Sequence, residues 1–318
     1  MSDPKKVVAS FSISGEITLN LHSLNNEGGE GNQIITRQVT IVDKMGVVHT
    51  VNAISGDMFK HIHAAHQTNY CIEKKLHLSS LAKLGSPDRI SASELNAHIK
   101  IEEGKATQKD VQDGFIQLCT ITDTHGVLMT ESVKGIKNTP RKSIIEFGWT
   151  VGKPTQTNTD SYFHMRGATD TNPNPTPFNR PANYGVYAFV CSADVYRVGF
   201  NDLKRSYAIS DTDRLLRYKS IIASLLNSFL NPQGAMTSTQ KPHITDFKGV
   251  VAISSKLTPA PTISALNDNY KSEIETIKNN LNIIEKDAIE INNFNGVSEL
   301  SAALASLLEY QPYKIQYL

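Results

Sequence analysis

An α+β fold is what this sequence predicts, on three observations. Apolar and polar residues alternate in VVASFSISGEITLNL (7–21) and again around 35–51, 143–151 and 184–200, the pattern of half-buried strands. DTDRLLRYKSIIASLLNSFL (211–230) instead repeats its apolar residues at helical spacing. The two kinds of element are interleaved along the chain, and 39% hydrophobic against 20% charged residues suits a soluble protein that buries a core.

In the first strand, Val8, Phe11, Ile13, Ile17, Leu19 and Leu21 are candidate core positions, and they hold one face only if Gly15 does not bulge. NNEGGEGN (25–32) follows as a glycine-rich loop. ITRQVTIVDKMGVVHTV (35–51) predicts a second extended piece, folded back at a turn around Asp43–Gly46. Ser55 then caps a helix whose first turn carries Asp57, the charge its dipole favours. Residues 72–118 are rich in helix formers, with caps at Ser91 and Thr107, and predict a small helical insertion. SIIEFGWTV (143–151) predicts a strand. Residues 153–183, full of Thr, Asn and Pro, predict a projecting loop or hairpin, too long for an idle connection. YGVYAFVCSADVYRVGF (184–200) returns as strand, and the helix 211–230 has Asp211 at its cap and Asn-Pro at its end. A Gly/Pro loop (231–247) and a short buried strand, GVVAIS (249–254), follow. Leu266, Tyr270, Ile274, Ile277, Leu281 and Ile284 mark a peripheral helix, and 298–310 another. Without the insertions the order is strand, helix, strand, strand, helix, strand, the split βαβ or ferredoxin-like order.

Net charge is only +1, which argues against a bulk nucleic-acid coat. The distribution is uneven: Lys134 to Arg217 holds 12 basic against 7 acidic residues, and Lys256 to Leu318 holds 5 against 8. A basic middle suits an anionic ligand, and an acidic tail suits self-association. Cys71, Cys119 and Cys191 are odd in number and far apart, so no disulfide framework is expected and a reducing, cytoplasmic setting is. No apolar run nears the ~20 residues that span a bilayer, and the N-terminus has no secretory h-region.

The run VNAISGDMFKHIHAAHQTNYC (51–71) concentrates three histidines and a lysine. On a helix, Met58, Phe59, Ile62, Ala65 and His66 share one face, while Asp57, Lys60, His61, Ala64 and Gln67 take the other. His63 and His66 are neighbours but His61 points away, and HExxH is absent, so no metal site is expected. Lys60 and His61 remain as an anion-contacting pair, and a solvated helix face remains the plain reading. Walker A, GxGxxG, GxSxG and CxxC patterns are all absent, and no cofactor or catalytic residue is expected.

The ordered segments ISGEITLNLHSLN, GGEGNQIITRQVTI, VNAISGDMFKHIHA, LCTITDTHGVL, RKSIIEFGWTV, NRPANYGVYAFVCSADVYRVG and GAMTSTQKPHITDFKGVVAIS resemble DevR-type CRISPR-associated proteins over about residues 7–255. These are the repeated backbone subunits of type I Cascade surveillance complexes (Cas family seven), and the long tail helices look most like the type I-B branch. Cys119 stands where many relatives carry Cys-x-x-Cys-Asp-x-x-Gly; Thr122 replaces the second cysteine, and Asp123 and Gly126 read as plain turn residues. The resemblance implies an RRM-like palm (1–255), interrupted by helical fingers (72–118) and a β-hairpin thumb (153–183), with a helical extension at 256–318. It implies CRISPR RNA, target DNA, other Cascade subunits and identical copies set head to tail as partners, and no membrane. On that reading Arg37, Lys60 and His61 contact phosphates, and Gly28, Gly29 and Gly31 let the backbone approach RNA. The loop around Gly234, Ala235, Lys241 and His243 is a second clamp. In the thumb, His164, Arg166 and Arg180 supply charge, and Phe163, Met165 and Phe178 wedge against an unstacked base. Two alternatives remain. One is a type III-like subunit that cleaves RNA with Glu27 or Glu30; the other is an assembly scaffold that binds no RNA.

Overall fold

The computed structural model describes residues 6–31, 33–168 and 174–316. Its strands are β1 (Ser10–His22), β2 (Asn26–Glu30), β3 (Gln33–Thr36), β4 (Gln38–Val42), β5 (Val48–Ile54), β6 (Val127–Met129), β7 (Thr139–Arg141), β8 (Ile145–Phe147), β9 (Thr150–Arg166), β10 (Thr176–Ala193), β11 (His243–Ser254) and β12 (Ile289–Asn295). The helices are α1 (Gly56–Glu73), α2 (Ser80–Lys83), α3 (Ala92–His98), α4 (Gln108–Leu118), α5 (Thr120–His125), α6 (Asp211–Leu230), α7 (Tyr270–Ile284) and α8 (Val297–Leu307). The α+β class is as expected.

Among the described residues one ten-stranded sheet runs β12-β11-β1-β10-β9-β5-β4, with β3 and β8 also pairing to β10 and β2 to β3. β1 lies at its centre and keeps an unbroken register through Gly15, which pairs with Phe189 on one side and Gly249 on the other. A Cβ at Gly15 would come within 2.8 Å of the Lys248 carbonyl, so glycine is what lets β1 and β11 run flat together here. Phe11, Ile13, Ile17 and Leu19 are accordingly buried. Leu21 is not: it takes a left-handed backbone (φ +53°) and turns outward, 47% exposed.

α1 and α6 cover the inner face of the sheet. Phe59 of α1 and Phe229 of α6 meet Phe189 and Phe247 at ring-centroid distances of 4.9–6.4 Å, mostly tilted or edge-on, the geometry aromatic rings favour. Ser55 caps α1 through Met58 N–H as expected. The α6 cap is Ser210, which accepts from Asp213 N–H; Asp211 is already inside the helix. Gln67, expected on the open side of α1, is fully buried because α5 packs over that side.

Several expectations of extent are corrected. The glycine-rich loop is a hairpin, β2 paired with β3, turned at Gly31 with φ +56°. The 143–151 strand breaks at Gly148 and Trp149 into β8 and the start of β9. The final core strand spans twelve residues. The helical insertion has its own core of Leu95, Val111, Phe115, Met129 and Val133, which reaches past residue 118. The C-terminal part is more than peripheral helices. Strand β12 closes one edge of the sheet, and Leu300, Leu304 and Leu307 of α8 belong to the main core. In α7 only Tyr270 and Ile274 are buried.

Candidate nucleic-acid interface

The hairpin of β9 and β10 remains in register out to Arg166 opposite Thr176. Residues directly opposite across antiparallel strands share a face, and neighbours along a strand alternate. His164 pairs with Phe178 and Tyr162 with Arg180, so these four lie together. The His164 ring stacks on Phe178 at 5.5 Å, and the Arg180 guanidinium lies 5.0 Å from the same ring. Phe163 and Met165 fall on the opposite face, 64% and 60% exposed. The expected group of His164, Met165 and Arg166 is therefore split by the strand period: His164 faces inward to the cleft, while Met165 does not.

That cleft, about 460 Å³, lies between the hairpin and the 231–242 loop and is lined by Leu21, Tyr162, His164, Ala182, Ser238–Lys241 and His243. Arg180 Nη1 donates to Thr239 Oγ1 at 2.9 Å, and Gln240 Nε2 donates to the Pro181 carbonyl at 2.8 Å. Lys241 Nζ donates to Asn231 Oδ1 at 3.2 Å, and Ala235 N–H to the Leu24 carbonyl at 3.0 Å. The loop is thus pinned to the segment that follows β1 and to β10. A Cβ on Gly234 would lie 2.6–2.9 Å from Leu24, so this glycine serves close packing within the chain. Tyr162 was missed from the sequence, although its spacing of two from His164 was the available signal.

On α1, Lys60 is half-buried and His61 exposed. Both line a cavity of about 490 Å³ that runs under α2, with Asn69, Lys83, Ser86 and Arg89 among its walls. Burial, and then the Arg89 charge, hold the Lys60 ammonium below its ordinary range. Lys60 also borders a smaller cavity, about 250 Å³, with Glu146 and Trp149. Arg37 sits at the break between β3 and β4, where a strand position was expected. It is ion-paired to Glu27 at 2.7 Å, with its guanidinium 5.7 Å from the Trp149 ring. Glu27, an alternative catalytic candidate, is thereby engaged; the Glu30 side chain lies outside the described groups. Around Gly28 and Gly31 nothing lies within 4 Å of where a Cβ would be, and Gly29 faces the Gln33 carbonyl.

His63 and His66 are structural. His63 Nε2–H donates to the Ile221 carbonyl at 3.0 Å, leaving Nδ1 to accept from His125 Nε2 at 3.0 Å. Gln67 Oε1 also accepts from His125 and from Thr124. Burial depresses His63 to about 4 and His125 well below its ordinary value, so the chain of bonds is one of neutral rings. Among the described residues no group of three or more His, Cys, Asp or Glu is placed to hold a metal ion. No helix among them is long and apolar enough to cross a membrane.

A family model for the CRISPR-associated negative auto-regulator DevR/Csa2 matches residues 13–275. The chain belongs to the DevR/Csa2 family. The family resemblance read from the sequence is thus borne out. A CRISPR-associated protein Cas7/Cst2/DevR from Methanocaldococcus jannaschii is 24% identical over 316 residues, covering 93% of this DevR-family chain and 96% of that one. Among solved structures, a chain of a CRISPR RNA-guided surveillance complex, pre-nicking, is 10% identical with a TM-score of 0.47, covering 96% of each chain. Thermofilum pendens Csc2 is 12% identical with a TM-score of 0.40, covering 94% of this chain and 84% of that one.

Proposed function

We propose that this DevR-family protein is a non-catalytic, cytoplasmic backbone subunit of a Cascade surveillance complex, most like the type I-B branch. It binds CRISPR RNA, lines up head to tail with identical copies and other Cascade subunits, and presents the guide for pairing with target DNA. The observation that carries the reading is the cleft between the hairpin and the 231–242 loop. His164, Lys241 and His243 converge there beside the hydroxyls of Ser238 and Thr239, with Arg180 holding the loop in place. Such groups grip phosphate and ribose and leave base edges free, which a protein holding a variable guide requires. Phe163 and Met165, bare on the other face of the hairpin, have the size and exposure to wedge beside an unstacked base. Arg37, Lys60 and His61, with the open glycine hairpin at 28–31, extend the grip along the other flank.

In this reading β1, β8–β9, β10 and β11 with α1 and α6 form the RRM-like palm, within residues 1–255. Residues 72–118 form the fingers, 153–183 the thumb and 256–318 the C-terminal extension. Neighbour order β11-β1-β10-β9 supports the ferredoxin-like assignment. Arg166, at the far end of the paired hairpin, reaches beyond the cleft to phosphate or to the next copy. Equivalent copies on a polar strand meet head to tail, and such contacts do not close on themselves. The test is co-expression with guide RNA of the wild type and of a deletion of residues 157–178, read by light scattering and nuclease footprinting. The deletion is expected to leave a folded monomer that neither protects RNA nor forms rows. A closed two-fold dimer insensitive to nuclease, or a deletion that still forms protected rows, overturns the reading.

A further inference from the structure

We propose that Arg89 and Lys60 together form a receptor for one phosphodiester group of single-stranded RNA, where α1 meets the helical insertion. The proposal rests on the RNA-binding reading and adds a residue to it that no pattern in the sequence singled out.

Both side chains line the cavity of about 490 Å³. Arg89 is fixed in place. Its backbone is left-handed (φ +61°), a conformation uncommon for a residue with a side chain and one that marks sites where the surroundings dictate geometry. The Arg89 carbonyl accepts from Ser79 Oγ, and its N–H donates to the Ser86 carbonyl at 3.2 Å. Nη1 is committed to the carbonyls of His125, at 3.0 Å, and Gly126. These bonds leave the Nε–Nη2 edge of the guanidinium without an acceptor among the described residues. That edge carries two parallel N–H groups, the fork that matches two oxygens of a phosphate.

Lys60 supplies the second charge. Among the described residues neither cation makes an ion pair. The cavity wall also carries Lys83, His61 and one carboxylate, Asp57, while Glu146 borders Lys60 from the smaller cavity. Cations outnumber acids within the larger wall, and the hydroxyl of Ser86 and the amide of Asn69 add neutral donors to it. Asp57 and Glu146 offset part of the repulsion that the Arg89 charge exerts on Lys60, and a bound anion relieves the remainder. A ligand with one negative charge per group and single-stranded access to a concave wall is what the site fits.

The test uses the full chain and a short labelled single-stranded RNA of mixed sequence, with fluorescence anisotropy measured across a salt series. Lys60→Ala is expected to weaken binding about tenfold, the size of one charged hydrogen bond, and to reduce the log–log salt slope by about one. Arg89→Lys keeps the charge and loses the fork, so it is expected to weaken binding by about as much with the slope nearly unchanged. The double variant is expected to lose less than the product of the two, because both groups serve one phosphate. Lys241→Ala, in the other cleft, separates the two levels of the argument. If the wild type binds no RNA, the function proposed above fails. If it binds, and Lys241→Ala weakens it while Lys60→Ala and Arg89→Lys do not, this receptor alone is overturned. Should Arg89→Lys melt early, Lys60→Ala decides: affinity and slope equal to wild type overturn the receptor.

Discussion

Asp123 is fully buried, and its two carboxylate oxygens are shared by three donors. Oδ1 accepts from Arg141 Nη2 at 2.6 Å; Oδ2 accepts from Arg217 Nη1 and from Gly199 N–H, both at 3.0 Å. The two arginine side chains are themselves buried, and they tie β7 and α6 to α5. Asp123→Asn keeps the size of the side chain but removes its charge and turns an amide N–H toward a guanidinium. Breaking one partner of a buried ion cluster costs roughly 3–5 kcal/mol, because the remaining charges stay desolvated. With an unfolding entropy of about 2.1 cal/mol/K per residue, that cost lowers the melting temperature of a chain this long by about 5–8 °C. Differential scanning fluorimetry measures it, with Asp211→Asn as the internal comparison. Asp211, itself exposed, pairs with Lys314 at 2.7 Å and with Arg214 at 3.3 Å, and a pair of that kind contributes about 1 kcal/mol or less. If Asp123→Asn and Asp211→Asn melt together with the wild type, the buried cluster does not hold these elements together and the reasoning fails.

Acid is expected to weaken the fold through its buried histidines. Burial holds His63 at about 4 and His22 at about 3, against an ordinary 6.5, so both are neutral in the folded state. The unfolded chain takes up protons below pH 6.5; stability is therefore full above that value and falls as pH drops toward 4, by on the order of 3 kcal/mol for His63 alone. A urea midpoint that stays flat over this window contradicts the assignment. Gly234→Ala is expected to push the 231–242 loop off Leu24 and to weaken RNA binding with little change in melting temperature; an unchanged affinity shows that the loop position is not critical. Cys71 and Cys191 are buried, with burial raising each thiol to about 12, so a thiol reagent is expected to label neither until the chain unfolds. Rapid labelling of the folded protein at either position contradicts their burial.

What the sequence made legible follows from the range of the interactions involved. Local patterns were enough for α1, α6, the Asp43–Gly46 turn and the caps at Ser55, Ser91 and Thr107, because each is decided within a turn or two of chain. Residues 153–183 were read as a projecting loop or hairpin, and the register of its arms was not legible, since they are rich in Thr and Asn, pair with each other and carry little apolar signal. Asp123 looked like a turn residue because its partners, Arg141 and Arg217, come from 18 and 94 positions away. Glycine at 126 was read correctly as a turn: φ is +74° there. In the hairpin, residue types were visible but faces were not. Period-two alternation separates Met165 from His164, and only the cross-strand register shows that Phe178 stands behind His164 while Arg180 turns to Thr239. Arg89 lacked any local signature, because the carbonyls that hold it, of His125 and Gly126, come from 36 and 37 positions away.

The outer face of the central sheet is covered by a crossing segment of the chain. Ser10, Ser12 and Ser14 alternate along β1, and each bonds the chain that crosses over it. Ser10 Oγ accepts from Ala260 N–H at 3.1 Å, Ser12 Oγ donates to the Pro261 carbonyl at 2.6 Å, and Ser14 Oγ accepts from Ile263 N–H at 3.2 Å. Farther along, Ala265, Tyr270 and Ile274 pack on Ala188 and Val250. Lys153 then bridges Glu16 of the sheet to Asp268 of the crossing segment. A sheet that offers single-stranded nucleic acid a platform presents aromatic rings for bases to stack on. Here that face presents serines, alanine and valine, and it is already occupied by residues 260–274. On the RNA-binding function proposed above, contacts with a long polyanion fall to the two concavities beside the sheet: the one under the hairpin, and the one where α1 meets α2. Each pairs a half-buried or pinned cation with hydroxyl or amide donors, and each is reached without displacing anything from the core.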